Sequence, residues 1–311
     1  MDRSNLLREG GLCLGLFLIL TVFALWIPVL GLAAFFFLSI PFIYFTFKYE
    51  LKAGISLALI AFSILFILLG PSALPIGVFF LPSGVIIGEL YRRKKEAFAV
   101  LVGGALSYVV AIVFIFIAAV LILNVDPVAE MQAVMLESVE MTEQMMPLLG
   151  EAEEDALQTF YDFVDSLSVI APSLMVMIGV GFAFTVQVIA SFILRKKGED
   201  ISRFPPFRDW GFPKAFIWYY LITYLFMFGG IEEGTALYTA VSNLSPVLEM
   251  IMIIQGFALV FFYFHYKGKG LVFPIIVVVM SFLLPFFLHI IRILGIIDLG
   301  FDLRKRMNSQ K

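Results

Sequence analysis

Residues 97–124 read AFAVLVGGALSYVVAIVFIFIAAVLILN, and none of these positions carries a charge. A membrane-spanning helix needs about 20 consecutive apolar residues, so this stretch is a span with length to spare. Its two flanks differ in sign. Before it stand Arg92, Arg93, Lys94 and Lys95; after it, residues 125–166 hold 11 acidic side chains and no Lys or Arg. Cytoplasmic connections collect Lys and Arg, so the stretch predicts both a membrane helix and the direction in which it runs.

Working outward, further apolar runs cover 10–27, 29–47, 51–69, 74–91, 167–194, 213–230 and 245–265, with a last region at 271–301. Pro28 separates the first two runs, and Gly70, Pro71 and Pro75 make the connection after 51–69 a tight turn. With Arg3 and Arg8 in the cytoplasm, alternating spans bring Lys48, Lys52, the 92–95 cluster, the basic residues of 195–214, Lys267 and Lys269 to the same side. The acidic segment and the loop with Glu232 and Glu233 then lie outside. In the last region, one span over 271–293 would carry the tail Arg304-Lys305-Arg306 outside; two short helices broken at Pro285 return it inside, and this hairpin is the favoured reading.

Composition agrees. Of 311 residues, 61% are hydrophobic and only 14% charged, with a mean hydropathy of +1.02. Soluble domains are about 45–50% apolar and about 25% charged, so an ordinary soluble enzyme, a nucleic-acid binder and a disordered chain are excluded. The expected fold is all-α: a polytopic transmembrane helical bundle of about eight to ten segments with an extracytoplasmic acidic helical hairpin. The expected organisation is 1–124 as an N-terminal five-helix membrane unit, 125–166 as the acidic hairpin, and 167–311 as a C-terminal membrane unit with cytoplasmic loop 195–214 and a basic tail. The expected placement is multi-pass with the N-terminus cytoplasmic. Arg3 and Arg8 before an apolar run resemble a signal peptide, but no cleavage pattern leads to a polar chain, so an uncleaved first helix is expected.

Within 125–166, Leu157, Phe160, Tyr161 and Val164 recur at helical spacing, Met131, Met135 and Val139 mark a second amphipathic face, and Pro147–Gly150 reads as the turn between them. The segment is either a helical cap on the bundle or a lid over an outward-facing cavity.

Polar residues inside spans mark functional sites by default. Glu249 falls about one turn below the outer end of the 245–265 run, Gln255 nearer its middle, and Asn243 just before it, as an N-terminal cap or a lip residue. Trp26, at the outer end of the first run, belongs to the aromatic belt or lines the same cavity. These four are the candidate solute-binding residues. Glu89 is expected to pair with Arg92 and Arg93, and Gln187 to serve helix packing. His289 and Arg292 share a helix face, with Asp298 the nearest acid in sequence for Arg292. Gly11 and Gly15 form a small-xxx-small stripe, either for packing within the chain or for docking a partner helix. No catalytic motif, metal-ligand spacing or cofactor motif is present: the chain has one cysteine and two histidines, and lacks H-E-x-x-H, a P-loop and G-x-S-x-G. An enzyme is not expected.

The C-terminal third carries an ordered set of motifs: Pro206-Phe207-Arg208-Asp209-Trp210 followed by Pro213; Gln255-Gly256; Gly295-Ile-Ile-Asp298; and Phe301-Asp302-Leu-Arg304-Lys305-Arg306. Together they resemble the YybS family of bacterial membrane proteins, and the resemblance extends along nearly the whole chain. It implies that the first five or six helices are similar to S components of energy-coupling-factor vitamin transporters. In that group, small residues of the first helix pack on the transmembrane coupling subunit, a role that Gly11 and Gly15 would fit here. Arg208, Asp209 and Trp210 become candidate structural or coupling residues, with His289, Arg292 and Asp298 beside them. The partners implied are the lipid bilayer, that of a bacterial inner membrane, and either a coupling subunit with its ATPase or a second copy of the chain; nucleic acid is not among them. The resulting expectation is a protein that binds a small solute from outside and takes part in its transport, or alternatively a non-transporting membrane scaffold.

Overall fold

A computed structural model describes residues 3–145 and 154–308. It is 85% helical with no strand among these residues, so the all-α membrane bundle stands. The elements are α1 (Arg3–Trp26), α2 (Pro28–Phe35), α3 (Ile40–Tyr49), α4 (Leu51–Leu69), α5 (Ala73–Arg92), α6 (Ala97–Ala118), α7 (Pro127–Met145), α8 (Glu154–Lys196), α9 (Ala215–Phe228), α10 (Ala236–Tyr266), α11 (Val272–Leu283), α12 (Pro285–Phe301) and α13 (Leu303–Asn308). Among the described residues, six helical runs are long and apolar enough to cross a membrane; one of them, Leu51–Arg92, contains both α4 and α5.

Three spans differ from their expected form. The 29–47 run is broken at residues 36–39. Pro41 has no N–H to give the Phe37 carbonyl, which accepts from Ile40 instead, and the preceding amides also bond three residues back. The 167–194 run is only the later part of α8, a helix of 43 residues and thus about 64 Å. The amphipathic stretch before it continues straight into the span. The 245–265 run starts nine residues early, because Thr235 caps α10 by accepting the Tyr238 amide on its Oγ1 at 3.2 Å.

The chain divides into two compact units, one formed by residues 1–165 and 174–203, the other by 166–173 and 204–311. In the first, Phe17, Leu38, Phe42 and Leu65 make one buried cluster, and Ile87, Tyr91, Tyr108, Ala183 and Leu194 another. Glu89 pairs with Arg92 at 2.7 Å and Arg93 at 2.6 Å, as its neighbours in sequence suggest. Gln187 donates to the Ala97 carbonyl at 2.8 Å, tying α8 to the start of α6. Of the amphipathic faces of the acidic segment, Val139 and Val164 are buried while Met131 stays exposed, and Gln132 donates to the Val164 carbonyl at 2.7 Å. The expected turn at Pro147–Gly150 lies outside the described residues.

The second unit is built on α10 and α12. Gly256 and Gly295 sit where these helices cross. A Cβ at Gly256 would overlap the Ile291 carbonyl, and one at Gly295 the Met252 carbonyl. Only glycine permits this backbone contact. Glu249 lies by Arg292 and Gln255 by Asp298, so the two helices run parallel. A parallel pair needs a return segment, and α11 supplies it. The chain breaks at Leu284, whose backbone is extended before Pro285. The hairpin reading of 271–301 therefore holds, and the basic tail reaches the same end of this unit as loop 204–214.

Candidate functional site

The four sequence motifs of the C-terminal third meet at one place. Because Gly256 and Gly295 let α10 and α12 touch, the neighbouring Gln255 reaches Asp298, donating from Nε2 to Oδ2 at 2.5 Å. Its Oε1 accepts the Phe212 amide at 3.1 Å. Asp302, at φ +51°, ends α12 and turns the chain back. Arg304 then donates from Nε to Asp298 at 2.9 Å, with Nη2 in ion-pair contact at the same distance. Its Nη1 donates to the carbonyls of Arg208 at 3.0 Å and Trp210 at 2.6 Å. Arg304 thus stitches the tail, α12 and loop 204–212 together, and Lys214 adds a 2.5 Å ion pair to Asp302. That ammonium holds the Asp302 carboxyl below the usual carboxylate range. Asp298 is buried at 3% exposure; the side-chain partners converge on Oδ2, and Oδ1 accepts the Arg304 amide at 3.4 Å. A cleft of about 510 Å³ opens beside this cluster, lined by Arg208, Lys214, Gln255, Asp298 and Lys305 among others.

A second cluster lies along the same two helices. Glu249 accepts from Arg292 Nη1 at 2.7 Å and from the Tyr224 hydroxyl on one oxygen, Oε1. Arg292 also donates to the Tyr224 oxygen at 3.2 Å. The Glu249 and Arg292 side chains remain 35% and 22% exposed, and among the described residues nothing pairs with Glu249 Oε2 or with Nε and Nη2 of Arg292. Two corrections follow. The partner of Arg292 is Glu249 on α10, not Asp298, whose charge Arg304 takes. Glu249 is also not one turn from its helix end: α10 begins at Ala236, so more than three turns precede it, and its charge is met by Arg292.

Asn243 is a third correction, since it caps nothing. It lies inside α10 and bridges two groups that would bond each other in an unbroken helix: Oδ1 accepts the Ser173 amide at 2.9 Å, and Nδ2 donates to the Val169 carbonyl at 2.7 Å. Pro172 opens that rung of α8, and the Asn243 amide fills it in place of the peptide group.

The other candidates stand apart. His289 is exposed and meets only the Pro285 carbonyl of its own helix, at 3.2 Å. Asp209 lies 3.9 Å from Arg208 at the surface. Trp26 is 78% exposed at the end of α1 in the first unit. On the same helix, Gly11 and Gly15 face open space, with nothing within 4 Å of an added Cβ. Sequence reasoning missed Tyr224, though Tyr220 and Tyr224 one turn apart on a short apolar helix were a signal. It also missed the buried Ser39–Tyr108 hydroxyl pair of the first unit, 2.8 Å apart. Four cavities of about 390–510 Å³ are lined by described residues, and none of the four is lined by residues 125–166.

Comparison with known proteins agrees with this architecture. A family model described as "Predicted membrane protein (DUF2232)" matches residues 15–299. The chain is 30% identical over 309 residues to "Uncharacterized protein YybS" of Bacillus subtilis (strain 168), covering 99% of this chain and all of that relative. No solved structure matches. The chain belongs to this family of multi-pass membrane proteins.

Proposed function

We propose that this family member binds a small polar solute from the outer side of the bacterial inner membrane and takes part in its transport. The observation that supports it is the contrast between the two polar clusters of the second unit. The Asp298 cluster is closed: its carboxylate is buried, and its partner Arg304 is spent on the loop carbonyls, so it is built as structure. The Tyr224–Glu249–Arg292 cluster is open: an acid and a base at depth in apolar helices, each with bonding capacity left over. Charged side chains in spans are costly and are kept for ligands, ions or essential pairing, and leftover donors and acceptors side by side suit a solute that carries both signs.

Gly11 and Gly15 extend the reading. Their open face on α1 suits a close-packed partner helix, from a coupling subunit that works with an ATPase or from a second copy. The N-terminus is then cytoplasmic, as the Lys and Arg placement requires.

Native mass spectrometry of the gently extracted full chain tests the solute reading. The expected result is a retained small molecule that is lost in Glu249→Gln/Arg292→Gln, a double variant that keeps a neutral hydrogen-bonded pair and so spares the fold. Equal retention by the double variant, at an unchanged unfolding midpoint, removes the cluster from the account. Gly11→Leu/Gly15→Leu should leave solute retention intact and abolish co-purification of the partner.

A further inference from the structure

A second cavity of the second unit has a composition the functional reading does not use. It measures about 410 Å³ and lies where loop 204–208 meets the turn between α10 and α11. Its wall is aromatic: Phe207 packs edge-on against Phe261 at 5.2 Å, with Phe264 alongside. Arg208 and Lys269 give its rim a positive charge, the His265 imidazole stands beside them, and no carboxylate lines it. Among the described residues neither His265 nor Lys269 has an acidic partner, and Arg208 has only the long contact to Asp209.

The backbone adds to the same sign. The end of α10 is closed by Gly268 at φ +68°, with the Gly268 amide on the His265 carbonyl at 2.9 Å and the Lys269 amide on the Phe264 carbonyl at 2.8 Å. The negative end of that helix is therefore satisfied. The start of α11 faces the opposite case. Its first amides have no carbonyl within their own helix, and Leu271 and Pro274 of that first turn line the cavity. Two cations, the His265 ring and the start of α11 thus border an apolar pocket.

We propose that this pocket holds an anionic phospholipid, its phosphate on the Arg208–His265–Lys269 rim and the start of an acyl chain against the phenylalanines. Free phosphate would satisfy the rim alone. The apolar wall accounts for the lipid, and the pocket's volume falls in the ordinary range of about 300–1,000 Å³ for small-ligand sites. The site is independent of Glu249 and stands whether or not the chain moves a solute.

The test is lipid titration of the full chain in zwitterionic detergent, read by native mass spectrometry and by the unfolding midpoint. Phosphatidylglycerol should bind and raise the midpoint; phosphatidylcholine and inorganic phosphate at the same concentration should not. Arg208→Gln/Lys269→Gln should weaken phosphatidylglycerol by about 30-fold, taking about 1 kcal/mol for each cation near a membrane surface. Lys95→Gln/Lys196→Gln, which removes two exposed cations that do not line the pocket, should change it less than about threefold, what remains of a screened general attraction. Phe261→Ala should weaken the lipid as well. Equal loss in both double variants would reduce the effect to general attraction and overturn the site. Unchanged affinity in Arg208→Gln/Lys269→Gln overturns it too, and protection by inorganic phosphate alone overturns the lipid.

Discussion

Replacing Asp298 by Leu tests whether the tail and loop 204–212 are held by one carboxylate. The change removes the acceptor of three donated bonds, from Gln255 Nε2 at 2.5 Å, Arg304 Nε at 2.9 Å and the Arg304 amide at 3.4 Å, and the ion-pair contact of Nη2 at 2.9 Å. It leaves the Arg304 guanidinium, 18% exposed, with carbonyls but no counter-charge. Three bonds to a charged group at about 1.5–3 kcal/mol each give an upper bound of roughly 4.5–9 kcal/mol. Removing one partner of a buried pair costs about 3–5 kcal/mol in practice, and this lower range is the expected loss. Against a total stability of about 5–15 kcal/mol, that is a large share. The assay is reversible unfolding of the detergent-solubilised chain with rising SDS, followed by helical circular dichroism. Asp298→Leu/Arg304→Met, which replaces both charges with apolar groups, should recover at least half of the loss. A cost below about 1 kcal/mol, the range of an ordinary exposed pair, would refute the claim that the carboxylate organises this end of the unit. So would a double variant no more stable than Asp298→Leu alone.

Further outcomes follow from other contacts. Asn243→Leu leaves the Ser173 amide and the Val169 carbonyl unpaired and should cost about 2–4 kcal/mol in the same unfolding assay; adding Pro172→Ala, which lets the helix close its own rung, should reduce that cost. Gly256→Ala forces α10 and α12 apart and should cost about 1–3 kcal/mol or more, whereas Gly11→Ala, facing open space, should stay within about 0.5 kcal/mol of wild type. Asp302 has its folded pKa lowered by Lys214, so the pair's contribution is complete above the unfolded value of about 3.9 and fades as pH falls through the folded value. Unfolding midpoints of Lys214→Gln should therefore lose part of the wild-type fall below about pH 4, and an identical pH profile would remove this pair from acid stability.

The membrane bundle was legible because its signals are energetically large. A 28-residue uncharged run has no soluble alternative, and a Lys and Arg asymmetry places its ends. The break at Pro285 was legible for the same reason, since a basic tail on the wrong side conflicts with that asymmetry. The start of α10 was not. Thr239, Ser242, Asn243 and Ser245 lower the hydropathy of its first turns, so an apolar-run criterion opens the span at 245, whereas the helix starts where Thr235 caps it. That single offset misplaced Asn243 as a cap and set Glu249 only one turn from the end of its helix. The break at residues 36–39 was hidden inside a uniformly apolar run, where only Pro41 hinted at a missing donor.

The identity of Arg292's partner illustrates a different limit. Proximity in sequence favours Asp298, six residues on, over Glu249, 43 residues away. On a helix, however, positions six apart point to different sides, so Arg292 and Asp298 cannot meet on α12 without bending it. The parallel packing of α10 and α12 settles the pairing, and that packing depends on glycine backbones touching. Once Gly256 and Gly295 are in contact, the acid and the base fall opposite each other one layer away, and Gln255 falls opposite Asp298 on the other side of the crossing. One close backbone contact thus sets the register of both polar clusters, the one that anchors the tail and the Tyr224–Glu249–Arg292 one. A substitution that separates these helices should therefore disturb both clusters together, although neither glycine is charged or able to touch a solute through a side chain.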